Sequence, residues 1–464
     1  MIKMMDMPNS FDVRGRLLED DELAAWLAEH SLGNRFGLAV RCTDSAREPK
    51  AVALAIVAAD GEGRYIDITT LTEGDEGALA AWLGDPGPPK AVHDSKLMTR
   101  LMARRGWALR GVTSDTSAAA DLLRPGQPNL SLDELLVRHM RCALPAEAPE
   151  QQHLILQACA VLDLADVLDE ELARIDSSSL FGRIELPYVQ ALSEMEIAGI
   201  AVDRVRLTGM LNGFEDEVAS DGRIHRAFHR TEATPYDTPN LRDACVAGDG
   251  YVELMTARYG EIEARVIAHL SDDAGLIGGL DAEEDPYRAL ASRVFPLSVD
   301  EATSQFRRRM ELMFYESTAP IGAEDDDLWR DLTEYLRGVV DDARGIGYCS
   351  TLSGRRRYLP DLGSGDRHVR EAAERIALSV LIGGSAADIT KVAMINAHRV
   401  IKDAGLKSRM LLQVGSELVF EVADGERETL AAHVGEQMRG AYPLNAPLQV
   451  LVGYGSNWGI ATRN

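Results

Sequence analysis

The sequence predicts a mixed α/β (α+β) chain built as two domains, 1–180 and 181–464. Three observations point there. Three strand-like runs at 35–41, 51–58 and 64–68 are separated by turn-rich segments, the mark of a meander. Helical patterns alternate with short apolar segments through most of the remainder. Near the far end, the stretch Met410 to Glu421 reads as two apolar strands meeting at Gly415-Ser416. A glycine followed by almost any residue suits a two-residue type II′ hairpin turn. A chain of 464 residues has room for two or three domains with cores of their own.

In chain order, a short helix at 20–29 precedes the meander. Lys90–Val92 adds a strand and 94–105 a helix. The segment 112–123 reads as one helix, opened by the capping residues Thr113, Ser114 and Asp115. Helices at 130–140 and 153–172 complete the first domain, which ends near Ile175-Asp176-Ser177-Ser178-Ser179. The second opens with an amphipathic helix, 185–198, stopped by Gly199. A short helix at 205–218 and a strand at 223–230 follow. A strand at 251–256 then leads into a helix at 261–270. Residues 283–339 read as mostly helical with a break at Pro320-Ile321-Gly322-Ala323, and 370–404 as helical with a break at Gly383-Gly384. The hairpin, a helix at 426–439 and a strand at 448–452 finish the chain.

A hydrophobic content of 45% and 27% charged residues are ordinary for a soluble globular protein. No run of 18 apolar residues occurs, so no membrane span is expected. The N-terminal Met-Ile-Lys-Met-Met-Asp-Met-Pro carries an acid and a proline where a signal peptide needs an apolar core. The five cysteines are scattered without a Cys-x-x-Cys, which fits reduced cytoplasmic thiols and no zinc framework. A net charge of −25 argues against strong non-specific DNA binding, which rests on neutralising phosphates. His225 and His229 have His-x₃-His spacing, but on a strand they stand about 13 Å apart, too far to share one ion.

The motifs carry a resemblance. Gly222–His225 (Gly-Arg-Ile-His), 256–265, the helix start Arg307-Arg308-Arg309, 354–362, 370–395, Gln413 to Glu421, and Val452-Gly453-Tyr454-Gly455 with Trp458 occur in order. Together they are similar to the segments of family A DNA polymerases, the DNA polymerase I type, in wording close to actinobacterial members. The resemblance implies a ribonuclease H-like, 3′–5′ exonuclease-type domain followed by a polymerase palm. It offers no counterpart of the family's 5′-nuclease domain.

The departures are as systematic as the matches. In the family, an acid of motif A and an acid in the motif C hairpin hold two Mg²⁺, hard cations that demand oxygen ligands. Those positions fall on Arg258 and Ser416, with Gly415 replacing the histidine of the turn. Guanidinium carries only donors and cannot ligate a cation. The neighbouring Glu263, Glu417 and Gln413 are kept. The fingers helix keeps Arg307 and Tyr315, but Glu311 stands where a lysine meets triphosphate. Glu316 and Ala319-Pro320 replace further family residues, and proline stops the helix. Only 204–221 lies where the thumb would be, room for one helix of about 27 Å. The loop at 234–241 is shortened, and Ser379 and Gly383 replace template-contacting residues. In the first domain, 36–41 has no acid, Leu97-Met98-Thr99 stand where another is expected, and Asp163 and Asp166 have no partners to complete a metal site.

The resemblance and its departures imply a vestigial exonuclease domain and a palm with truncated fingers and no thumb. No cofactor is expected, the Mg²⁺ site being lost. Arg258 is expected to pair with Glu263 or Glu417 in place of the metals. The implied function is a catalytically inactive accessory or scaffold in DNA replication or repair, docking an unknown protein partner in the cytoplasm or at the nucleoid. A second reading is a DNA-structure binder using Arg265, Arg307, Arg308, Arg309, Arg355, Arg356, Arg357, Arg375 and Lys391. A third is residual polymerase activity.

Overall fold

The computed structural model describes residues 11, 13–31, 33–43, 49–126, 130–208, 223–224, 239–280 and 327–463. The chain divides into two compact units, Met1–Ile197 and Ala198–Asn464. The expected boundary at 180/181 falls earlier. All of the helix Leu186–Ala198 but its last residue goes with the first unit, where Glu196, 3% exposed, pairs with Lys96 at 3.1 Å and Arg100 at 2.9 Å.

The first unit is a six-stranded sheet. Its strands are β1 (Arg14–Leu17), β2 (Phe36–Cys42), β3 (Ala51–Val57), β4 (Glu62–Asp67), β5 (Lys90–Val92) and β6 (Val112–Asp115). The order is β1-β4-β3-β2-β5-β6, with an antiparallel meander β2–β4 and β5 and β6 parallel to β2. Alternation sends Leu38, Leu54, Ile56 and Ile66 to one core and Ala39, Ala53, Ala55 and Tyr65 to another. The second core receives Leu154, Ile155 and Ala158 of the helix Glu150–Arg174. The small residues of β2 let that helix come close: a Cβ on Gly37 would stand 2.1 Å from the Ala158 carbonyl oxygen.

The segment expected as one helix at 112–123 is strand β6 followed by the helix Thr116–Leu123. Asp115 does cap that helix, accepting from the N–H groups of Ser117 and Ala118, and it also accepts from Ser95 N–H at 2.7 Å. Pairing with β5 claims the residues before the cap.

In the second unit β7 (Ile200–Val202), β8 (Arg223–Ile224) and β9 (Cys245–Val246) form a small sheet. The main sheet has β10 (Tyr251–Gly260), β13 (Arg409–Val414), β14 (Glu417–Ala423) and β15 (Gln449–Gly455), antiparallel in the order β13-β14-β10-β15. Strand β10 runs past its expected end at 256, because β14 and β15 pair with it on both sides. A further hairpin joins β11 (Tyr348–Ser350) to β12 (Arg356–Tyr358).

Gly383-Gly384 does not break the long helix. Arg367–Asp403 runs through, with a π turn at Val380–Gly384. The bare Gly384 admits the loop after β11, since a Cβ there would stand 2.8 Å from Thr351 Cγ2. One window of this helix is long and apolar enough to cross a membrane, at mean hydropathy 1.5, but 61% of it is buried inside the protein. It is a core helix.

Candidate functional site

The sheet and its hairpin bring the two altered positions to one end. Arg258 of β10 is paired in register with Glu417 of β14 on one side and Leu451 of β15 on the other. Directly opposed residues of antiparallel strands share a face. At the turn, Val414 pairs with Glu417 across Gly415 and Ser416. Gly415 has φ +57° and Ser416 is not among the positive-φ residues, the pattern of a type II′ turn. The Tyr259 N–H donates to the Ser416 carbonyl at 3.3 Å, which ties the turn to the end of β10. The Arg258 side chain is exposed and, among the described residues, makes no hydrogen bond or ion pair.

Glu417 is the carboxylate nearest this end, and it is fully engaged. It is 6% exposed. It accepts from Arg242 Nη1 at 3.1 Å, Trp458 Nε1 at 3.3 Å and Thr462 Oγ1 at 2.8 Å. The Arg242 guanidinium also lies over the Trp458 ring, 4.4 Å from its centroid. The expectation that Arg258 neutralises Glu417 is therefore corrected: Arg242, from the helix Pro239–Ala244, takes that place. Glu263 is half-buried and has a partner of its own that is not Arg258. Further along β14, Glu421 is wholly buried and accepts from Gly248 N–H at 3.1 Å, Arg223 Nη2 at 3.3 Å and Arg409 Nε at 2.5 Å. Sequence reasoning missed Arg242 and Arg223, whose partners lie far away in the chain, and Arg409, which faces Glu421 across its own hairpin.

The donor set can be weighed against the Mg²⁺ pair that the resemblance implies. A hard dication takes six or more oxygens, commonly with charged carboxylates among them. At this end stand a guanidinium, a hydroxyl and a carboxylate already holding three donors. Among the described residues no three His, Cys, Asp or Glu side chains are grouped to hold an ion. The residues present do not fit a two-cation centre.

Two of the candidate basic residues, Arg265 and Arg355, are taken up inside the fold. Arg265, 3% exposed, donates to the Gly260 and Pro447 carbonyls and to Gln449 Oε1. Burial removes it from any basic surface. Arg355 Nε and Nη2 both donate to Oδ1 of the buried Asp388, at 3.0 and 2.8 Å. Arg356 lies over Tyr348, 4.9 Å from the ring centroid. Arg357, Arg375 and Lys391 are half-buried, and Lys391 has a partner of its own. Gln413 Nε2 donates to the Gly415 carbonyl at 3.1 Å and so braces the turn. Arg307, Arg308, Arg309, Glu311 and Tyr315 lie outside the described residues, as do Glu316, Ala319-Pro320, His225 and His229.

In the first unit, Asp163 and Asp166 both lie on the helix Glu150–Arg174 but are engaged separately. Asp166 pairs with Arg35 at 3.2 Å, while Asp163 accepts from the Cys159 thiol at 3.9 Å. Burial, and next the charge of Asp166, push the Asp163 carboxyl above its ordinary range.

Comparison with known proteins places these features. The model of "DNA polymerase family A" matches residues 209–319 and 327–460. DNA polymerase I of Mycobacterium tuberculosis is 41% identical over 98% of this chain and 66% of its own length. DNA polymerase I of Mycobacterium leprae is 40% identical over 99% of this chain and 66% of its own. The chain thus spans just under two thirds of these relatives. Among solved structures, the POL domain of Pol1 from M. smegmatis, in complex with DNA primer-template and dNTP, is 44% identical with a TM-score of 0.88. That match covers 97% of this chain and all of the other. Two matched segments that take in β10, the hairpin and β15, with relatives similar along nearly the whole sequence, establish that the chain belongs to DNA polymerase family A.

Proposed function

We propose that this chain is a non-catalytic member of the family, a protein that keeps the polymerase shape as an accessory or scaffold in DNA replication or repair. One observation carries the reading. The positions that the resemblance assigns to the metal-binding acids hold Arg258 and Ser416, and the adjacent Glu417 is bound by Arg242, Trp458 and Thr462. Metal-assisted phosphoryl transfer needs two cations clamped between attacking and leaving oxygens. A guanidinium in that place repels them. The shortened thumb and fingers belong to the same reading. The relatives' 594 aligned positions exceed the 464 residues of this chain, so they carry segments without a counterpart here.

Primer extension with Mg²⁺ or Mn²⁺ tests the proposal. The wild-type chain is expected to add no nucleotide, and so is the double variant Arg258→Asp, Ser416→Asp, whose Glu417 remains paired to Arg242. Template-directed extension by the wild-type chain would overturn the reading.

DNA-structure binding is the second reading, favoured by the solved neighbour that holds DNA primer-template. Its basic candidates are reduced, because Arg265 and Arg355 serve the fold. Gel shifts on nicked, gapped and single-stranded DNA at roughly 50 mM salt, where phosphate contacts are strong, separate it from the scaffold reading. A shift on one of these DNAs supports the binder, and none on any of them removes it.

A further inference from the structure

We infer that the converted end of the sheet is an anion site, in which Arg258 and Ser416 take a phosphate oxyanion. The inference rests on the reading that this end no longer holds cations, and it goes beyond it by assigning a ligand class.

Charge and unused donors point to this site. Arg258 is exposed, and among the described residues its guanidinium has no partner. Ser416 is half-buried, and its hydroxyl likewise has none, while its carbonyl is tied to Tyr259 N–H. Backbone pairing brings the two residues to the same end of the sheet, since Arg258 opposes Glu417, the residue after Ser416, and the N–H of the next residue, Tyr259, bonds to the Ser416 carbonyl. The carboxylate that would otherwise answer Arg258 is neutralised from another direction by Arg242. The acids that follow on the chain, Glu261 and Glu263, have partners of their own. An unanswered positive charge and an unanswered hydroxyl therefore stand at one end of the sheet, on a chain whose net charge is −25. A guanidinium offers a planar fork of donors that matches phosphate oxygens two at a time, and a hydroxyl adds a third bond. An exposed charge of this kind is screened by salt, so the affinity is expected to fall as ionic strength rises.

The test uses the full chain in low-salt buffer with EDTA, so that no cation takes part. Inorganic phosphate is titrated by calorimetry, and in a second arm a short duplex with a 5′-phosphate is compared with the same duplex lacking it. Saturable phosphate binding is expected. Arg258→Gln should weaken it at least about tenfold, a difference of about 1.4 kcal/mol. Ser416→Ala should weaken it less, and Arg174→Gln, at the exposed end of the helix Glu150–Arg174, should leave it unchanged. Arg258 is exposed, so an unaltered melting curve for Arg258→Gln is expected and shows that the variant folds. Preference for the phosphorylated duplex identifies a DNA end as a source, and equal binding of the two duplexes identifies the free anion. No saturable binding, or binding unchanged in Arg258→Gln, overturns the inference. Because metal is absent throughout, these outcomes are independent of primer extension, on which the non-catalytic reading stands or falls.

Discussion

Arg242 does for Glu417 what a bound cation would do elsewhere. Its side chain is 19% exposed and that of Glu417 is 7% exposed, so each is shielded from water. Removing one partner of such a pair leaves a desolvated charge without compensation, a cost of about 3 kcal/mol. Arg242→Ala should therefore lower the melting temperature clearly. Adding Glu417→Gln to it should recover part of the loss, because a neutral amide tolerates burial better. If thermal melts of Arg242→Ala match the wild type, Glu417 is not held in the way described. At this scale the sequence was uneven to read. Gly415-Ser416 announced its turn, because a two-residue II′ loop asks for glycine first, and Gly415 adopts φ +57°. Arg258 and Ser416 stood out as misplaced chemistry. The partner of Glu417 could not be read, since Arg242 lies 175 residues away in the chain and carries no local pattern.

At the scale of elements, the β11–β12 hairpin docks against the long helix through a set of directed bonds. Thr351 Oγ1 donates to Asp388 Oδ2 at 2.7 Å, Arg355 grips the other oxygen, and Leu352 N–H donates to Ser385 Oγ at 2.9 Å. All of this requires a bare Gly384. A methyl there would meet Thr351 Cγ2 at 2.8 Å. Gly384→Ala is expected to cost roughly 1–3 kcal/mol by overpacking, although alanine favours a helix. Gly383, with only Ser379 Oγ at 4.0 Å from a built Cβ, should accept alanine at no cost. Urea melts of the two variants decide it, and equal behaviour would contradict the packing. The glycine pair read as a helix break because glycine is a poor helix former. It serves instead a π turn and a close approach, which only the tertiary partner reveals. The strand within 112–123 was hidden for a related reason: three capping residues look the same whether a helix or a strand precedes them. The meander, by contrast, was legible nearly to the residue, since alternating small and large apolar residues mark both faces.

At the scale of the molecule, the proposed reading sets fold apart from chemistry. The order of matched segments runs through nearly the whole chain, and the solved neighbour superposes with a TM-score of 0.88. The sheet that would carry the metals is intact in register, from Arg258 against Glu417 to Gly260 against Gln449. At its end stand Arg258 and Ser416, and Glu417 is paired within the protein to Arg242, Trp458 and Thr462. The family fold was legible in the sequence, because a fold rests on many weak apolar preferences spread along the chain. Where the two units divide was less visible, since the Glu196 clamp to Lys96 and Arg100 joins segments that share no pattern. The most direct test of the central claim is uptake of Mn²⁺ by the full chain, read as loss of the free-ion signal in electron paramagnetic resonance. The account predicts no saturable uptake, in the wild type or in Glu417→Gln. Stoichiometric uptake by the wild type that disappears in Glu417→Gln would contradict it.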